Sequence, residues 1–345
     1  MTRTIAVVGA GVAGIGVADT CRDEAAEVTL FDKARGISGR AATRRKNGCR
    51  YDHGANYIKP GGDDWVEGLL DELGNDGLAD IELPVWTHDA DGEIAEGRAG
   101  DGPKWTYTRG ITQFAKRVRK RAGVSVHTET RIESIARTSG GEWTLTDTDG
   151  ETYGPFDELV LTPPAPQTAD LLAAMDWDDE RLRRLHTAVD AVEFRTIRSV
   201  LLHYPFELDR PWYALVNPDR EHPVGWLSRE ECKPDHVPDG ESLLVAQMAP
   251  DWSVEHYDEP LDAAGDAVAS LVAALLDDDR LTEPDWVDDQ GWRYALPDSN
   301  IDAEEARCAE DVGLYVAGDW VAGEGRVHRA FENGRTVGER ITGEE

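Results

Sequence analysis

Residues 1–20 read MTRTIAVVGAGVAGIGVADT, and residues 29–40 read TLFDKARGISGR. Residues 4–8 form a β-branched apolar run that stops at glycines. A helical stretch follows, and residues 28–31 form a second such run, so the segment is predicted as a βαβ unit. Gly9, Gly11 and Gly14 place G-x-G-x-x-G at the strand-to-helix turn, and Asp32 ends the next strand. Gly9 permits the tight turn, Gly11 lets a pyrophosphate approach the backbone, Gly14 allows close helix packing, and Asp32 can accept from a ribose hydroxyl. Glycines serving packing alone would leave Asp32 without a role, so a bound dinucleotide is the expectation.

A chain of 345 residues, 40% apolar, is long enough for two domains or one domain with a large insertion. Its mean hydropathy of -0.50 then reflects a polar surface. The 68 acids outnumber 36 bases, and only seven of the bases are lysine. A net charge of -32 repels itself at ordinary ionic strength but is screened at about 1 M salt, where the Debye length is about 3 Å. The expectation is a cytoplasmic protein of a halophile. Acids spread along the whole length argue against a surface made for one basic partner, and nucleic acid would demand a basic face. Cys21, Cys49, Cys232 and Cys308 are far apart in sequence, show no metal-ligand spacing and read as isolated thiols, so no metal is expected. There is no basic-then-apolar leader, and the longest apolar run, near residues 267–276, is half a membrane span, so no membrane association is expected.

Residues 124–128, 131–138 and 142–148 alternate apolar and polar side chains around turn signals and read as a small sheet, followed by a buried strand at 158–162. Residues 60–104 hold a helical DDWVEGLLDELG and a hairpin-like VWTHDADGEIAEG. Beyond 165 come two helical stretches and the strand patterns SVLLHY, WYALV and LLVAQM. These leave the βαβ rhythm and suggest a second, mostly antiparallel lobe. GLYVAGDW then returns as a buried strand, before a helix with Val327, Ala330, Phe331, Gly334, Val337 and Ile341 on one face.

Two further segments carry a resemblance. ARGISGRAATRR resembles the arginine-glycine segment after the first βαβ unit of amine-oxidase-like FAD proteins, with Arg35, Gly36, Gly39, Arg40 and Thr43 at matching positions and Ser38 in place of the usual second glycine. Guanidinium groups there neutralise a diphosphate, whereas Arg44, Arg45 and Lys46 read as a solvated loop. LYVAGDWVAGEGRVHRAFENGR resembles the C-terminal flavin segment of the same superfamily: Gly318 and Asp319 reach the ribityl or pyrophosphate region, and the helix start near Gly325, Arg326 and Val327 faces the flavin carbonyl, where a partial positive charge favours the reduced anion. Lys33, Gly54 and Ala55 complete the cofactor set that the resemblance implies, and the expected cofactor is noncovalent FAD.

The order FDKARGISGRAATRR, YDHGANYI, TRGITQFAKRV, ELVLTPPAPQTADLL, GWRYALP and GDW is similar to the renalase-type branch of FAD oxidoreductases. The fold this implies is α/β: a discontinuous Rossmann-like FAD-binding domain over residues 1–59, 105–165 and 296–345, with a second α+β substrate lobe, built on a mostly antiparallel sheet, over 60–104 and 166–295. The implied activity is oxidation of 2- and 6-dihydro isomers of NAD(P) to NAD(P)+, with hydride passing to flavin N5 and dioxygen accepting the electrons to give hydrogen peroxide. Hydride loss from a dihydropyridine yields an aromatic cation directly, so positioning outweighs acid-base chemistry. Asn56 and Tyr57 follow the turn that approaches the flavin, and Trp292 and Tyr294 share a strand face, the expected substrate wall; a core role for Trp292 and a structural role for His53 are the plain alternatives. The rival functions are a flavin amine oxidase or desaturase and a non-enzymatic binding protein on the flavin fold, like Rab GDP-dissociation inhibitors.

Overall fold

The computed structural model describes residues 2–23, 26–60, 62–97 and 102–343, so residues 61 and 98–101 of the expected 60–104 insertion lie outside the described residues. The chain forms two compact units. The first takes the described residues up to 41, 114–194 and those from 296 on; the second takes 42–113 and 195–295.

The first unit is built on a five-stranded parallel sheet in the order Leu314–Val316, Glu158–Leu161, Arg3–Val8, Ala26–Phe31, Ser125–His127. Parallel strands covered on both faces read as unbroken apolar runs, and Ile5, Ala6, Val7, Leu159, Val160 and Leu161 are fully buried. The helix Val12–Thr20 follows the first strand, and Val327–Thr342 lies against it so closely that a Cβ on Gly16 would sit 2.4 Å from the Phe331 carbonyl oxygen. A Cβ on Gly334 would sit 2.0 Å from that of Ala13. Of the face read from the sequence, Phe331, Gly334, Val337 and Ile341 are buried, whereas Val327 and Ala330 are half-buried and His328 and Gly338 are buried beside them.

Strands Ile132–Arg137, Trp143–Asp147 and Thr152–Phe156 form a separate antiparallel sheet. The sequence pattern of 124–148 thus divides: its first strand joins the parallel sheet, and Thr152–Phe156, which sequence reading passed over, supplies the third antiparallel strand. Helices Ala165–Ala173 and Glu180–Asp190 bury Leu172, Leu182, Leu185 and Val189 in one core with Ile135, Trp143, Leu145 and Leu161. Residues 166–194 therefore group with the first unit, whereas the sequence placed them in the substrate lobe.

The second unit carries a seven-stranded sheet in the order Trp286–Pro297, Phe194–Tyr204, Ser242–Met248, Val224–Arg229, Ala214–Val216, Val85–His88, Ile94–Ala95. Its central pairings are antiparallel, and Ala214–Val216 runs parallel to Val85–His88. Helix Leu261–Leu276 packs Val268, Val272 and Leu276 onto Val200, Leu202, Leu227 and Leu244. The hairpin Thr43–Lys46 and Cys49–Asp52 also belongs here, because Cys49 and Tyr51 are buried with Leu201, Leu243 and Val245. Residues 42–59 and 105–113 thus fall outside the unit to which the sequence reading assigned them. No described helix is long and apolar enough to cross a membrane.

Candidate dinucleotide cradle and aromatic wall

In the first unit the turn after Arg3–Val8 is tied down by backbone geometry. Gly9 has φ +103°, and a Cβ there would lie 2.3 Å from Thr162 Oγ1, which donates to the carbonyls of Val8 and Gly9 at 2.9 and 3.1 Å. A Cβ on Gly14 would strike the Gly9 carbonyl oxygen at 2.1 Å. Gly11 differs from both: no atom of the chain lies within 4 Å of where its Cβ would be. It is the N-cap of Val12–Thr20, and no side chain caps that helix start. An open position before uncapped helix N–H groups is the form a pyrophosphate site takes.

Asp32 accepts from the backbone N–H of Ala10 and Ala34 at 2.7 and 2.8 Å, which aims its carboxylate at the same turn. Burial pushes its pKa up, against the pull of those two N–H groups. Ser38, in place of the usual glycine, is buried with φ +92° and donates from Oγ to the Ala41 carbonyl at 2.7 Å. Its N–H donates to the Ala10 carbonyl at 2.9 Å, and Gly39, φ +55°, lies against Gly11. The arginine-glycine segment is thus folded onto the glycine turn.

Arg40 and Asp319, 279 residues apart in sequence, form an ion pair at 2.8 Å. Asp319 also accepts from the Trp320 N–H, and the Gly318 N–H is held by Asn333 at 2.9 Å. Arg326 caps the start of Val327–Thr342 with no side-chain acceptor. Lys33, Arg35 and Gly36 are exposed.

In the second unit the residues expected in the wall make separate contacts. Trp292 stacks on His53 at 5.4 Å and 18°, and its indole N–H donates to the His53 carbonyl at 2.9 Å. Gln247 and Asn56 both donate to the Gly54 carbonyl, at 2.6 and 3.3 Å, and Asn56 accepts from the Ser228 hydroxyl at 3.3 Å. Tyr57 meets Tyr213 and Trp226, each at 6.2 Å. Burial, helped by the charge of Arg44, lowers the His53 pKa to about 4, so its ring is neutral at working pH. Tyr294 shares the Trp292 face through the two-residue period of the strand.

The solvated-loop reading fails for Arg44 and Lys46. Arg44 donates to Asp288, the Asp289 carbonyl and Gln290 at 2.9, 2.9 and 2.7 Å, and Lys46 donates to the Val287 carbonyl at 2.8 Å with its ammonium 5.0 Å from the Trp286 ring. The hairpin thus reaches residues more than 200 positions away, Arg44 meeting a carboxylate and Lys46 a backbone carbonyl.

Sequence reading also missed a buried ionic network behind His53. Lys233 Nζ lies 2.9 Å from Asp52 and 2.7 Å from Glu230, and His236 Nδ1 lies 2.9 Å from Glu230, all with fully buried side chains. Burial works against the Lys233 charge, yet the two carboxylates hold its pKa above the ordinary lysine value. Asp52 also accepts from the Thr43 hydroxyl and the Ile111 N–H, so the network anchors the residues leading into His53–Tyr57. The only local signal was an acid inside YDHGANY.

A family model described as flavin containing amine oxidoreductase matches residues 92–342, and an NAD(P)-binding Rossmann-like domain model matches 7–73. The chain belongs to the flavin containing amine oxidoreductase family. The open Gly11 position, Asp32 and the Arg40–Asp319 pair fit FAD, the cofactor of that family. It is 22% identical over 241 residues to chloroplastic protoporphyrinogen oxidase 1 of Spinacia oleracea, a match spanning 63% of this chain and 42% of that protein, less than half its length. In structure it is similar to a candidate protoporphyrinogen oxidase from Exiguobacterium sp. 255-15, with TM-score 0.80, 15% identity and all of both chains covered. It is also similar to cyclohexylamine oxidase from Brevibacterium oxydans IH-35A, with TM-score 0.75, 12% identity, and 100% and 99% of the two chains covered. At these identities the two structures bear on the fold.

Proposed function

We propose that this flavoprotein is a renalase-type oxidase that converts 2- and 6-dihydro isomers of NAD(P) to NAD(P)+ in a high-salt cytoplasm, with dioxygen as the final acceptor and hydrogen peroxide as product. The observation that carries the reading is a set of uncharged groups in the second unit: neutral His53 stacked on Trp292, the amides of Asn56 and Gln247 on the Gly54 carbonyl, and the rings of Tyr57 and Trp226 packed on each other. A dihydropyridine bearing a carboxamide is planar and neutral. It can stack on aromatic faces and exchange hydrogen bonds with amides, each ring pair adding about 0.5–1.5 kcal/mol beyond burial.

Gly9, Gly11, Gly14, Asp32, Gly39, Arg40, Gly318, Asp319, Arg326 and Val327 would hold FAD, which would supply the hydride acceptor. The chain's own part is orientation and exclusion of water, because loss of hydride aromatises the substrate and leaves no proton to remove. Trp292 and Tyr294 contact the ring, Asn56 and Tyr57 set its register, and the Asp52–Lys233–Glu230 network keeps the segment carrying them rigid.

Amine oxidation is the second reading, favoured by the description of the family and by the likeness to cyclohexylamine oxidase. Anaerobic mixing with 2-, 4- and 6-dihydroNAD(P) and a panel of amines, followed by flavin bleaching, separates the two. Fast bleaching by the 2- and 6-isomers alone supports the renalase-type reading. Bleaching by an amine, with the isomers inert, overturns it and leaves the family assignment standing.

A further inference from the structure

Cys49, His203 and Glu241 are scattered in sequence, but the fold brings one ligand atom from each to within 4.8 Å of the others. Cys49 starts the strand Cys49–Asp52, His203 lies near the end of Phe194–Tyr204, and Glu241 immediately precedes Ser242–Met248. Cys49 and His203 are buried, and Tyr51, Leu201, Leu243 and Val245 surround the thiol. Trp286 stacks on His203 at 5.0 Å and 9°, fixing the plane of the imidazole.

The other convergence of acids and histidine in this unit, Asp52, Glu230 and His236, already encloses a cation, the ammonium of Lys233. At Cys49, His203 and Glu241 no ammonium or guanidinium is hydrogen-bonded to the group among the described residues; Glu241 meets only the ring nitrogen Nε2 of His203, at 2.9 Å. His203 Nδ1 is buried without a hydrogen bond, with the Asp285 carboxylate 3.4 Å away.

We propose that Cys49, His203 and Glu241 form a zinc-binding site, with water as the fourth ligand. Thiolate, imidazole and carboxylate are the donors zinc takes in tetrahedral sites, and one thiolate with one carboxylate neutralises its double charge. With zinc–ligand distances of about 2.0–2.3 Å, tetrahedral donors lie roughly 3.3–3.6 Å apart. The 2.9 Å separation of Glu241 and His203 must therefore widen by a few tenths of an ångström. Glu241 can give, because about a third of its side chain is exposed. Asp285 stands where an outer carboxylate orients a ligating imidazole through its second nitrogen. Burial and the nearby charges of Glu241 and Glu231 raise the free thiol's pKa to about 11, so zinc binding releases one proton from Cys49 to solvent. The bound metal would pin the hairpin to two strands of the large sheet.

The test uses the full-length, FAD-loaded protein, free of any affinity tag, stripped with chelator and reloaded with zinc or cobalt. The expected result is one zinc per chain surviving gel filtration, at least a tenfold loss of zinc affinity in Cys49→Ser and Glu241→Gln, and a thiolate-to-cobalt charge-transfer band in the wild type that Cys49→Ser lacks. Zinc retained equally by wild type and Glu241→Gln, or a cobalt-loaded wild type without the thiolate band, overturns the proposal and leaves a His–Glu hydrogen bond beside a buried thiol. If Cys49→Ser does not fold, the wild-type cobalt spectrum and Glu241→Gln decide the matter.

Discussion

Gly11→Ala and Gly14→Ala separate cofactor binding from folding within one turn. Gly11 has φ -70° and ψ -177°, a conformation alanine adopts without strain, and the new methyl meets no atom of the chain within 4 Å. Replacing a glycine there gains about 0.4–1 kcal/mol through the unfolded chain, which the preference of a helix N-cap for glycine over alanine roughly cancels. If pyrophosphate lies against Gly11, the same methyl overpacks the bound state at a cost of about 1–3 kcal/mol, which weakens FAD binding roughly 5- to 150-fold. At Gly14 the methyl would stand 2.1 Å from the Gly9 carbonyl oxygen, with backbone on both sides. The helix must shift, costing the upper part of about 1–3 kcal/mol or more, and the melting temperature drops about 2–4 °C for each kcal/mol. FAD titration of the deflavinated proteins, followed by flavin fluorescence, and thermal melts of the same samples read both quantities. Gly11→Ala should melt close to wild type without FAD and bind FAD poorly; Gly14→Ala should melt low even without FAD. A Gly11→Ala protein with unchanged FAD affinity would refute the placement of the pyrophosphate.

Trp292→Ala removes a stacked ring and an indole hydrogen bond to His53, together worth about 1–3 kcal/mol; where that energy serves to position the substrate, flavin reduction in stopped flow should slow roughly 5- to 150-fold while FAD stays bound, and normal reduction would remove Trp292 from the wall. His53 and His88 have pKa values lowered to about 4, by burial first and then by Arg44 and His222 respectively. Between about pH 6.5 and 4 the unfolded chain therefore binds more protons, and stability falls as pH falls through that window, by up to about 1.4 kcal/mol per pH unit for each histidine. Urea melts of His88→Gln across this range should show a shallower slope than wild type, and parallel slopes would contradict the burial argument. A net charge of -32 should make the melting temperature climb steeply as KCl rises, because the screening length falls from about 10 Å at 0.1 M to about 3 Å at 1 M; a flat curve would mean the charges are accommodated in another way.

What the chain determined locally was its dinucleotide-binding unit. A β-branched run, three glycines at set spacing and an acid at the next strand end each have a conformational reason, so Gly9, Gly14 and Asp32 take up their expected places in the turn, and Phe331, Gly334, Val337 and Ile341 are buried as their period implied. The amphipathic helices at 165–190 said that they pack but not on what, because an apolar stripe carries no address; only the surface left open by the three-stranded sheet and the parallel sheet assigns them. Partners hundreds of residues apart were invisible for the same reason. Arg44 reads as one more exposed cation until packing of its hairpin brings Asp288 beside it, and Lys233 reads as a rare lysine in an acidic chain until Asp52 and Glu230 close around it. Cys49, His203 and Glu241 have no spacing that suggests a metal, since their convergence comes from a hairpin and two neighbouring strands meeting over a shared core. Local periodicity sets what each segment becomes, while burial of its apolar face chooses its neighbours, and charges and ligands meet only after that choice is made.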